Sequence, residues 1–141
     1  MELQVDDKGE LNKVKRFGRA IVIGGSMAGL AAARVLSDHF DEVVILERDR
    51  YPDDPNPRKG LPQVRHVHVL LWLGQMGLEK LFPGLQQELG QYGAPSMDWL
   101  GDSRWFMAGR WVPKFKSGYI THPCSRDLLE WCIRKRLAVL P

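Results

Sequence analysis

The stretch "IVIGGSMAGLAAARVL", residues 21–36, contains the pattern that decides the fold. A β-branched apolar run over residues 19–23 ends at a glycine turn, and an Ala- and Leu-rich segment with the composition of a helix follows. After a short polar connection, residues 43–46, "VVIL", form a second buried apolar run. Strand, glycine turn, helix and strand within about 30 residues predict a parallel βαβ unit.

The turn is a variant of the glycine-rich dinucleotide-binding fingerprint, with the pattern G-x-S-x-x-G. Gly24 permits a tight turn out of the strand, and Gly29 lets the helix lie close to the sheet. Ser26 stands at the middle glycine position, where its small side chain faces the diphosphate and its hydroxyl can donate to a phosphate oxygen. Because a diphosphate needs backbone N–H donors at a helix N-terminus, the candidate residues are Gly24, Gly25, Ser26, Met27, Ala28 and Gly29.

Glu47 follows the second predicted strand and lies 23 positions after Gly24. This spacing is close to the ~20 residues expected for the acid that binds the ribose hydroxyls of a dinucleotide. A carboxylate there disfavours a ribose 2′-phosphate, so NADP is not the expected ligand of this turn. The alternative is a βαβ crossover that serves packing alone, but the combination of turn, flanking elements and acid favours nucleotide binding.

The segment after Glu47 favours FAD over NAD. In a plain NAD domain the chain returns soon to another helix and strand of the same sheet. Here residues 48–65 form a Pro- and Arg-rich loop, followed by predicted helices over 66–82 and after Pro83-Gly84, antiparallel strands within 98–122, and a helix over 125–140 capped by Ser125. The predicted fold class is α/β, an incomplete Rossmann-like βαβ FAD/NAD(P)-binding fold with a small antiparallel β excursion.

Three quoted segments carry a resemblance to a known family. The segments "VIGGSMAGLAAARVL", "VVILERD" and "RKGLPQVRHVHVLL" resemble the N-terminal part of FAD-dependent monooxygenases of the aromatic-hydroxylase and flavoprotein-epoxidase type. The segment "THPCSRDLLEWCIRKRL" is similar to the next landmark of that family, an Arg that opens a helix beside the flavin. The resemblance covers about residues 18–141, and its R-x-G-x-P-Q-x-x-H-x-H element is more specific than the glycine turn.

The resemblance implies further cofactor-binding residues and an activity. Arg48 would assist Glu47 at the adenosine ribose, and Arg58 would lie near the flavin or the diphosphate. Gln63 and His66 would belong to the segment that runs past the isoalloxazine ring of the flavin. Arg126 would contact FAD from the later helix. The family is an oxidoreductase family in which NAD(P)H reduces FAD and O₂ supplies an oxygen atom to a small hydrophobic organic substrate. No catalytic acid or base is assigned.

The resemblance also sets expectations about the extent of the chain. Members of the family are longer, and their second diphosphate-binding segment, a Gly-Asp element near the C-terminal part of the FAD domain, is absent here. We therefore expect residues 18–141 to be a truncated N-terminal portion of an FAD-binding domain, which alone binds FAD weakly and is inactive with NAD(P)H. Residues 1–17 mix acidic and basic side chains and have no apolar core, so they are expected to be a flexible leader. The alternatives are a flavin-dependent reductase or halogenase relative, and a non-catalytic remnant that binds a nucleotide or a protein.

Composition excludes several other classes of protein. The chain is 44% hydrophobic and 26% charged, as in ordinary globular domains, and its net charge of +3 does not indicate a nucleic-acid partner. No apolar run approaches the ~20 residues of a transmembrane helix. With two cysteines and no signal-like N-terminus, the expected location is the cytoplasm.

The remaining candidate residues have simpler interpretations. His66, His68, His122 and Cys124 could ligate a metal, but no C-x-x-C or H-E-x-x-H motif is present and no metal site is expected. Cys124 and Cys132 are expected to be core residues and not a redox pair. The Trp-rich stretch 99–111 is expected to pack in a core or sheet, with the lining of a substrate pocket as the alternative; in a truncated chain, part of it is expected to be exposed.

Overall fold

The computed structural model describes residues 3–5, 11–13, 16–66 and 70–140. The chain has a mixed α/β fold that divides into two compact units, Met1–Glu47 and Arg48–Pro141. Each unit is described by itself below. The predicted domain boundary at residue 18 stays a prediction.

The described part of the first unit contains four strands and one helix. Strands β1 (Leu3–Val5) and β2 (Leu11–Lys13) form an antiparallel pair. They lie within the segment predicted as a flexible leader, so six residues of that segment have regular backbone pairing; residues 1–2, 6–10 and 14–15 lie outside the described residues. The other elements are β3 (Phe17–Ile23), α1 (Met27–Leu36) and β4 (Phe40–Leu46).

The predicted parallel βαβ unit is confirmed. Strands β3 and β4 pair in parallel, with Ile21 opposite Val44 and Ile23 opposite Leu46. Burial alternates along β3, as expected for a strand with one covered face. The buried side chains of this unit are Ala20 and Val22 of β3 and Leu30 and Ala33 of α1. Both strands begin earlier than predicted, at Phe17 and Phe40, because pairing extends through polar residues that have no apolar pattern.

In residues 48–66 and 70–140, the second unit contains a 3₁₀ turn, three α-helices and four very short strands. The 3₁₀ turn is Pro62–Arg65, and the helices are α2 (Trp72–Leu81), α3 (Leu85–Gln91) and α4 (Arg126–Ala138). The strands form two antiparallel pairs, β5 (Met97–Asp98) with β8 (Ile120–Thr121), and β6 (Phe106–Met107) with β7 (Arg110–Trp111). The buried core residues of this unit include Phe82, which directly follows α2, and Leu85, Leu89, Leu129, Cys132 and Ile133 on α3 and α4.

The helix boundaries agree with the sequence-based prediction at most ends. The Ser125 hydroxyl accepts the Leu128 N–H at 3.2 Å, which confirms the predicted cap of α4. Gly84 has a φ of +82°, consistent with the predicted break between α2 and α3. Helix α2 begins only at Trp72, not at His66; residues 67–69 lie outside the described residues. Within the described residues, no helix is long and apolar enough to cross a membrane.

The prediction of core packing is wrong for most of the Trp-rich stretch. Trp99 and Trp105 stack with ring centroids 5.5 Å apart, but Phe106 and Trp111 are 60% and 62% exposed. The physical reason is that β6 and β7 pair with each other over only two residues each. Among the described residues no further strand extends this pair, so the aromatic side chains have no second layer to pack against.

Candidate functional site

The glycine turn begins directly at the carboxyl end of the parallel strand pair. The Gly24 N–H donates to the Leu46 carbonyl at 2.8 Å, which continues the pairing of β3 and β4 by one residue. Gly24 then adopts a φ of +94°, a region that only glycine enters without strain. The requirement for glycine at the exit of the strand is therefore a backbone requirement, as predicted.

Gly29 brings the helix into close contact with the turn. A Cβ atom at this position would lie 1.8 Å from the Gly24 carbonyl oxygen and 3.3 Å from Cγ1 of Val22. Real Cβ atoms do not approach a backbone oxygen so closely, so any larger residue would push α1 away from β3. The predicted role of Gly29 in close helix–strand packing is confirmed.

The N-terminus of α1 has the chemistry of an anion site. Ser26 is the N-cap residue, with φ −93° and ψ −172°, and its carbonyl accepts the Leu30 N–H at 2.9 Å. The N–H groups of residues 27–29 precede this first hydrogen bond of the helix and point toward its positive end. No acidic residue lies in the first turn. A bound phosphate would therefore meet donors and a favourable dipole, without a competing carboxylate on the helix itself.

Glu47 lies at the same turn. Its Oε2 accepts the Gly25 N–H at 2.8 Å, across 22 positions of sequence. The structure therefore brings together the glycine turn and the acid that were predicted to bind the two halves of an adenosine diphosphate. The Gly25 N–H is thus paired with the carboxylate of Glu47, and the N–H groups of residues 27–29 are the donors that the helix N-terminus offers to an anion.

Two predicted arginines lie in the second unit and have different environments. The Arg48 side chain is 85% exposed, and its Nε lies 3.9 Å from Asp49 Oδ1. Arg58 is buried, and its Nε donates to Glu130 Oε1 at 3.0 Å, while Nη1 lies 3.8 Å from Asp49 Oδ2. Contacts of Arg58 with a flavin or a diphosphate stay a prediction, because its guanidinium faces carboxylates in this structure.

Contacts around Tyr51 hold the proline-rich loop, residues 48–65, against α4. The guanidinium carbons of Arg58 and Arg134 lie 5.1 and 4.5 Å from the centre of the Tyr51 ring. Arg134 Nη2 also donates to the Pro52 carbonyl at 3.0 Å, and Trp131 Nε1 donates to the Asp53 carbonyl at 2.5 Å. Burial lowers the pKa of Arg134, which nonetheless stays cationic.

The partners of Arg58 on α4 were not found from the sequence. Glu130 is buried on the same helix as Leu129 and Ile133, where a lone acid is costly unless it is paired. Two features of the sequence indicate that Glu130 is paired: it lies on an apolar helix face, and the basic residue Arg134 follows four positions later. It indicates a buried ion pair, but it does not identify a partner 72 positions away.

The remaining predicted cofactor residues lie on two elements of the second unit. Gln63 belongs to the 3₁₀ turn, and its carbonyl accepts the His66 N–H at 3.0 Å, so these two residues are adjacent in space. Arg126 is the first residue of α4. Burial and the neighbouring Glu130 raise the pKa of Asp127, and Arg126 opposes this effect. Flavin contacts of all three residues stay predictions.

The other candidate ligands are not gathered into a cluster. Among residues 16–66 and 70–140, no group of three or more His, Cys, Asp or Glu side chains has metal-binding geometry; His68 lies outside the described residues. Cys124 and Cys132 are free thiols. Cys132 is fully buried, and burial, with a smaller contribution from Glu88, raises its pKa to about 11. The prediction of a core position is confirmed for Cys132, while Cys124 is half-buried.

Comparison with known proteins gives one informative similarity. No protein-family model matches the chain. The chain is similar to Protein Rv3254 of Mycobacterium tuberculosis, with 38% identity over 125 residues. This alignment covers 86% of the present chain and 26% of the relative, so the chain spans about a quarter of the relative's length.

Proposed function

We propose that the first unit binds the ADP half of FAD, and that the chain is the FAD-binding portion of a flavin-dependent monooxygenase that acts on a small hydrophobic organic substrate. The observation that carries this proposal is the hydrogen bond from the Gly25 N–H to Glu47 at the N-terminus of α1. It joins the two predicted parts of a nucleotide site at one point of the fold.

The diphosphate would be held by the backbone N–H groups of residues 27–29, beside Gly25, whose N–H donates to Glu47. Gly24 and Gly29 leave the turn without side-chain bulk, and Ser26 is the only polar side chain within the turn. Charge-assisted hydrogen bonds from backbone N–H groups to phosphate oxygens are stronger than neutral ones, and the helix dipole adds to them. The ligand needs no lysine or arginine at this position.

Glu47 would accept hydrogen bonds from the adenosine ribose hydroxyls. The same carboxylate would repel a 2′-phosphate, since two like charges would lie within a few ångströms. This discrimination supports FAD or NAD over NADP at the turn itself. The resemblance of residues 58–71 to the flavoprotein family supports FAD over NAD.

FAD would supply the redox and oxygen chemistry, and the protein would supply binding, orientation and exclusion of water. In the second unit, the buried Arg58–Glu130 pair holds the loop that leads into Gln63 and His66. A loop fastened in this way presents these two residues in a defined position, as a flavin-facing segment requires. That role follows from the resemblance and is part of the proposal.

Titration with FAD, ADP and adenosine 2′,5′-bisphosphate tests the proposal. Flavin fluorescence and absorbance report FAD binding directly, and ADP should compete while the 2′-phosphorylated nucleotide should not. Glu47→Gln should weaken FAD binding about 10- to 150-fold, because a hydrogen bond to a charged group contributes about 1.5–3 kcal/mol. Glu42→Gln is the matched control, since Glu42 is an exposed glutamate of β4, the strand that Glu47 directly follows.

Two results would contradict the proposal. The first is an absence of FAD binding by the folded chain at millimolar concentration. The second is equal FAD affinity in the Glu47→Gln, Glu42→Gln and unmodified proteins, which would show that the ligand does not contact the predicted ribose acid.

A further inference from the structure

Positive charge is concentrated in one short segment of the second unit. Residues 104–116, "RWFMAGRWVPKFK", carry four basic residues and no acidic one, whereas the whole chain has a net charge of +3. The rest of the chain is therefore slightly negative. We call residues 104–116 the basic-aromatic hairpin, because they contain the strand pair β6–β7.

The basic-aromatic hairpin presents apolar side chains to solvent. Phe106, Met107, Trp111 and Phe115 are between 56% and 62% exposed. Ala108 and Gly109 both have positive φ values, +49° and +76°, which is the geometry of a tight two-residue hairpin turn. The exposed side chains are thus displayed by a defined hairpin, and burying so much aromatic surface would be favourable for a suitable partner.

A cleft in the hairpin combines cations with an aromatic ring. It has a volume of about 300 Å³ and is lined by Arg104, Trp111, Val112 and Lys114. Lys114 Nζ makes one long contact, at 3.4 Å, to the Asp102 carbonyl. Two cationic side chains that converge beside an indole ring match the chemistry of a phosphate group attached to an apolar chain.

We propose that the basic-aromatic hairpin docks on the surface of an anionic lipid bilayer. Phe106, Met107 and Trp111 would enter the interfacial region, where aromatic side chains with an apolar body and a polar edge are favoured. Arg104 and Lys114 would contact lipid phosphates in the cleft, and Arg110, the first residue of β7, can extend its cationic end to the headgroups. The charge complementarity is with the negative surface of the membrane. This inference does not depend on FAD binding.

The ring geometry favours a lipid surface over a single-stranded nucleic acid. Stacking of successive bases requires a row of open ring faces. In the hairpin, the Phe106 and Trp111 rings pack edge to face, with centroids 5.1 Å apart and planes at 65°. Met107 at the tip offers no ring at all. The cluster is therefore suited to insertion as an apolar tip and not to stacking.

Vesicle sedimentation of the full chain tests the proposal. The protein should sediment with phosphatidylcholine vesicles that contain about 30% phosphatidylglycerol, and much less with pure phosphatidylcholine. Raising the salt to about 0.5 M should release it, because the Debye length falls to a few ångströms. Near an anionic surface each Lys or Arg contributes about fivefold to partitioning, so the pair Arg104→Gln/Lys114→Gln should lose about 25-fold.

Matched variants separate this site from general charge and hydrophobicity. The pair Arg50→Gln/Lys80→Gln removes two other exposed cations of the second unit and should leave vesicle partitioning almost unchanged. Phe106→Ser should weaken partitioning about tenfold, as expected for an apolar side chain that leaves water. Leu73→Ser, at a residue that is 79% exposed on α2, should have little effect.

Several results would overturn the proposal. They are equal sedimentation with neutral and anionic vesicles, no sedimentation at low salt, or equal losses in the hairpin and control variants. Retention by a single-stranded oligonucleotide that is lost in Arg104→Gln/Lys114→Gln, without vesicle binding, would assign the hairpin to nucleic acid instead. A concentration-dependent dimer that Phe106→Ser dissociates, also without vesicle binding, would assign it to self-association.

Discussion

Gly29 is the residue on which the close contact between helix α1 and the turn depends. Its Cα faces the Gly24 carbonyl so closely that a Cβ would lie 1.8 Å from the oxygen. The turn in turn carries the Gly25 N–H that donates to Glu47. A substitution at Gly29 would therefore disturb the backbone donors of the candidate site before it disturbed any side chain.

Gly29→Ala should lower the free energy of unfolding by about 3 kcal/mol, because the new methyl group forces the helix away from the strand. Gly77→Ala is the matched control, since Gly77 lies in α2 and a Cβ there would have nothing within 4 Å. The control should be stabilised by about 0.5–1 kcal/mol through helix propensity. Urea unfolding followed by circular dichroism measures both, and equal stability of the two variants would contradict the prediction.

The contrast between Gly29 and Arg58 shows which residue roles could be predicted from the sequence. The positions of Gly24, Gly29 and Glu47 follow from a local strand–turn–helix–strand pattern, and this pattern predicts that all three lie at the turn. The ion pair of Arg58 with Glu130 joins residues 72 positions apart. No local pattern specifies that contact, so the resemblance assigned Arg58 to the cofactor while the structure pairs it with a carboxylate.

At the scale of elements, Asp98 organises the irregular segment between β5 and β8. Its carboxylate accepts hydrogen bonds from the Ser117 hydroxyl and from backbone N–H groups at Leu100, Gly101, Ser117 and Gly118. The Ser117 hydroxyl contributes most to lowering the pKa of Asp98 far below its usual value; burial opposes this, and the backbone donors add to it. The Asp98 side chain thus supplies hydrogen bonds that the backbone of a longer strand pair would supply, since β5 and β8 are only two residues long.

Asp98→Asn should destabilise the second unit and change its response to acid. The pKa of Asp98 is lower in the folded state than in the unfolded state, so the ionised carboxylate stabilises the fold above pH ~4. This stabilisation is lost as the pH falls from about 4 toward the folded-state pKa. Thermal unfolding between about pH 6 and pH 2 should show a steeper acid loss in the unmodified protein than in Asp98→Asn. Asp41→Asn, at an exposed aspartate of β4, is the control and should keep the steep profile.

Helices and long strands could be predicted more closely than the short strands of the second unit. The apolar pattern of α1 predicted its bounds, and the Ser125 cap predicted the start of α4. Strands of two residues have no usable alternation, so the Trp-rich stretch was predicted to pack where it is exposed. The hydrogen bonds of Asp98 could not be predicted, since some of its donors directly follow it and the others lie 19 or more positions later in the chain.

At the scale of the whole chain, each unit is stabilised by a different kind of contact. The first unit has a parallel strand pair covered by one helix, which is a pattern of local sequence. The strand pairs described in the second unit are only two residues long. Its proline-rich loop is held against α4 by hydrogen bonds between residues 72 to 82 positions apart. These contacts explain how a loop with so many prolines can be ordered. They could not be predicted from the sequence, because hydrophobic periodicity indicates helices and strands and not contacts between distant residues.

Glu130→Ala should destabilise the second unit by about 3 kcal/mol, because it leaves the buried Arg58 guanidinium with Asp49 as a more distant carboxylate at 3.8 Å. Cys132 reports this loss, since its thiol is fully buried with a pKa near 11 and reacts only when the unit opens. In a Cys124→Ser background, labelling of Cys132 at pH ~8 should become roughly a hundredfold faster, following the opening equilibrium.

The matched control is Glu42→Ala, because its ion pair with Arg19 is exposed, with side-chain exposures of 52% and 64%. An exposed pair contributes at most about 1 kcal/mol, so that variant should label at the rate of the parent. If Glu130→Ala and Glu42→Ala label equally slowly, the Arg58–Glu130 pair does not fasten the loop to α4, and the order of the loop must depend on the Tyr51, Trp131 and Arg134 contacts alone.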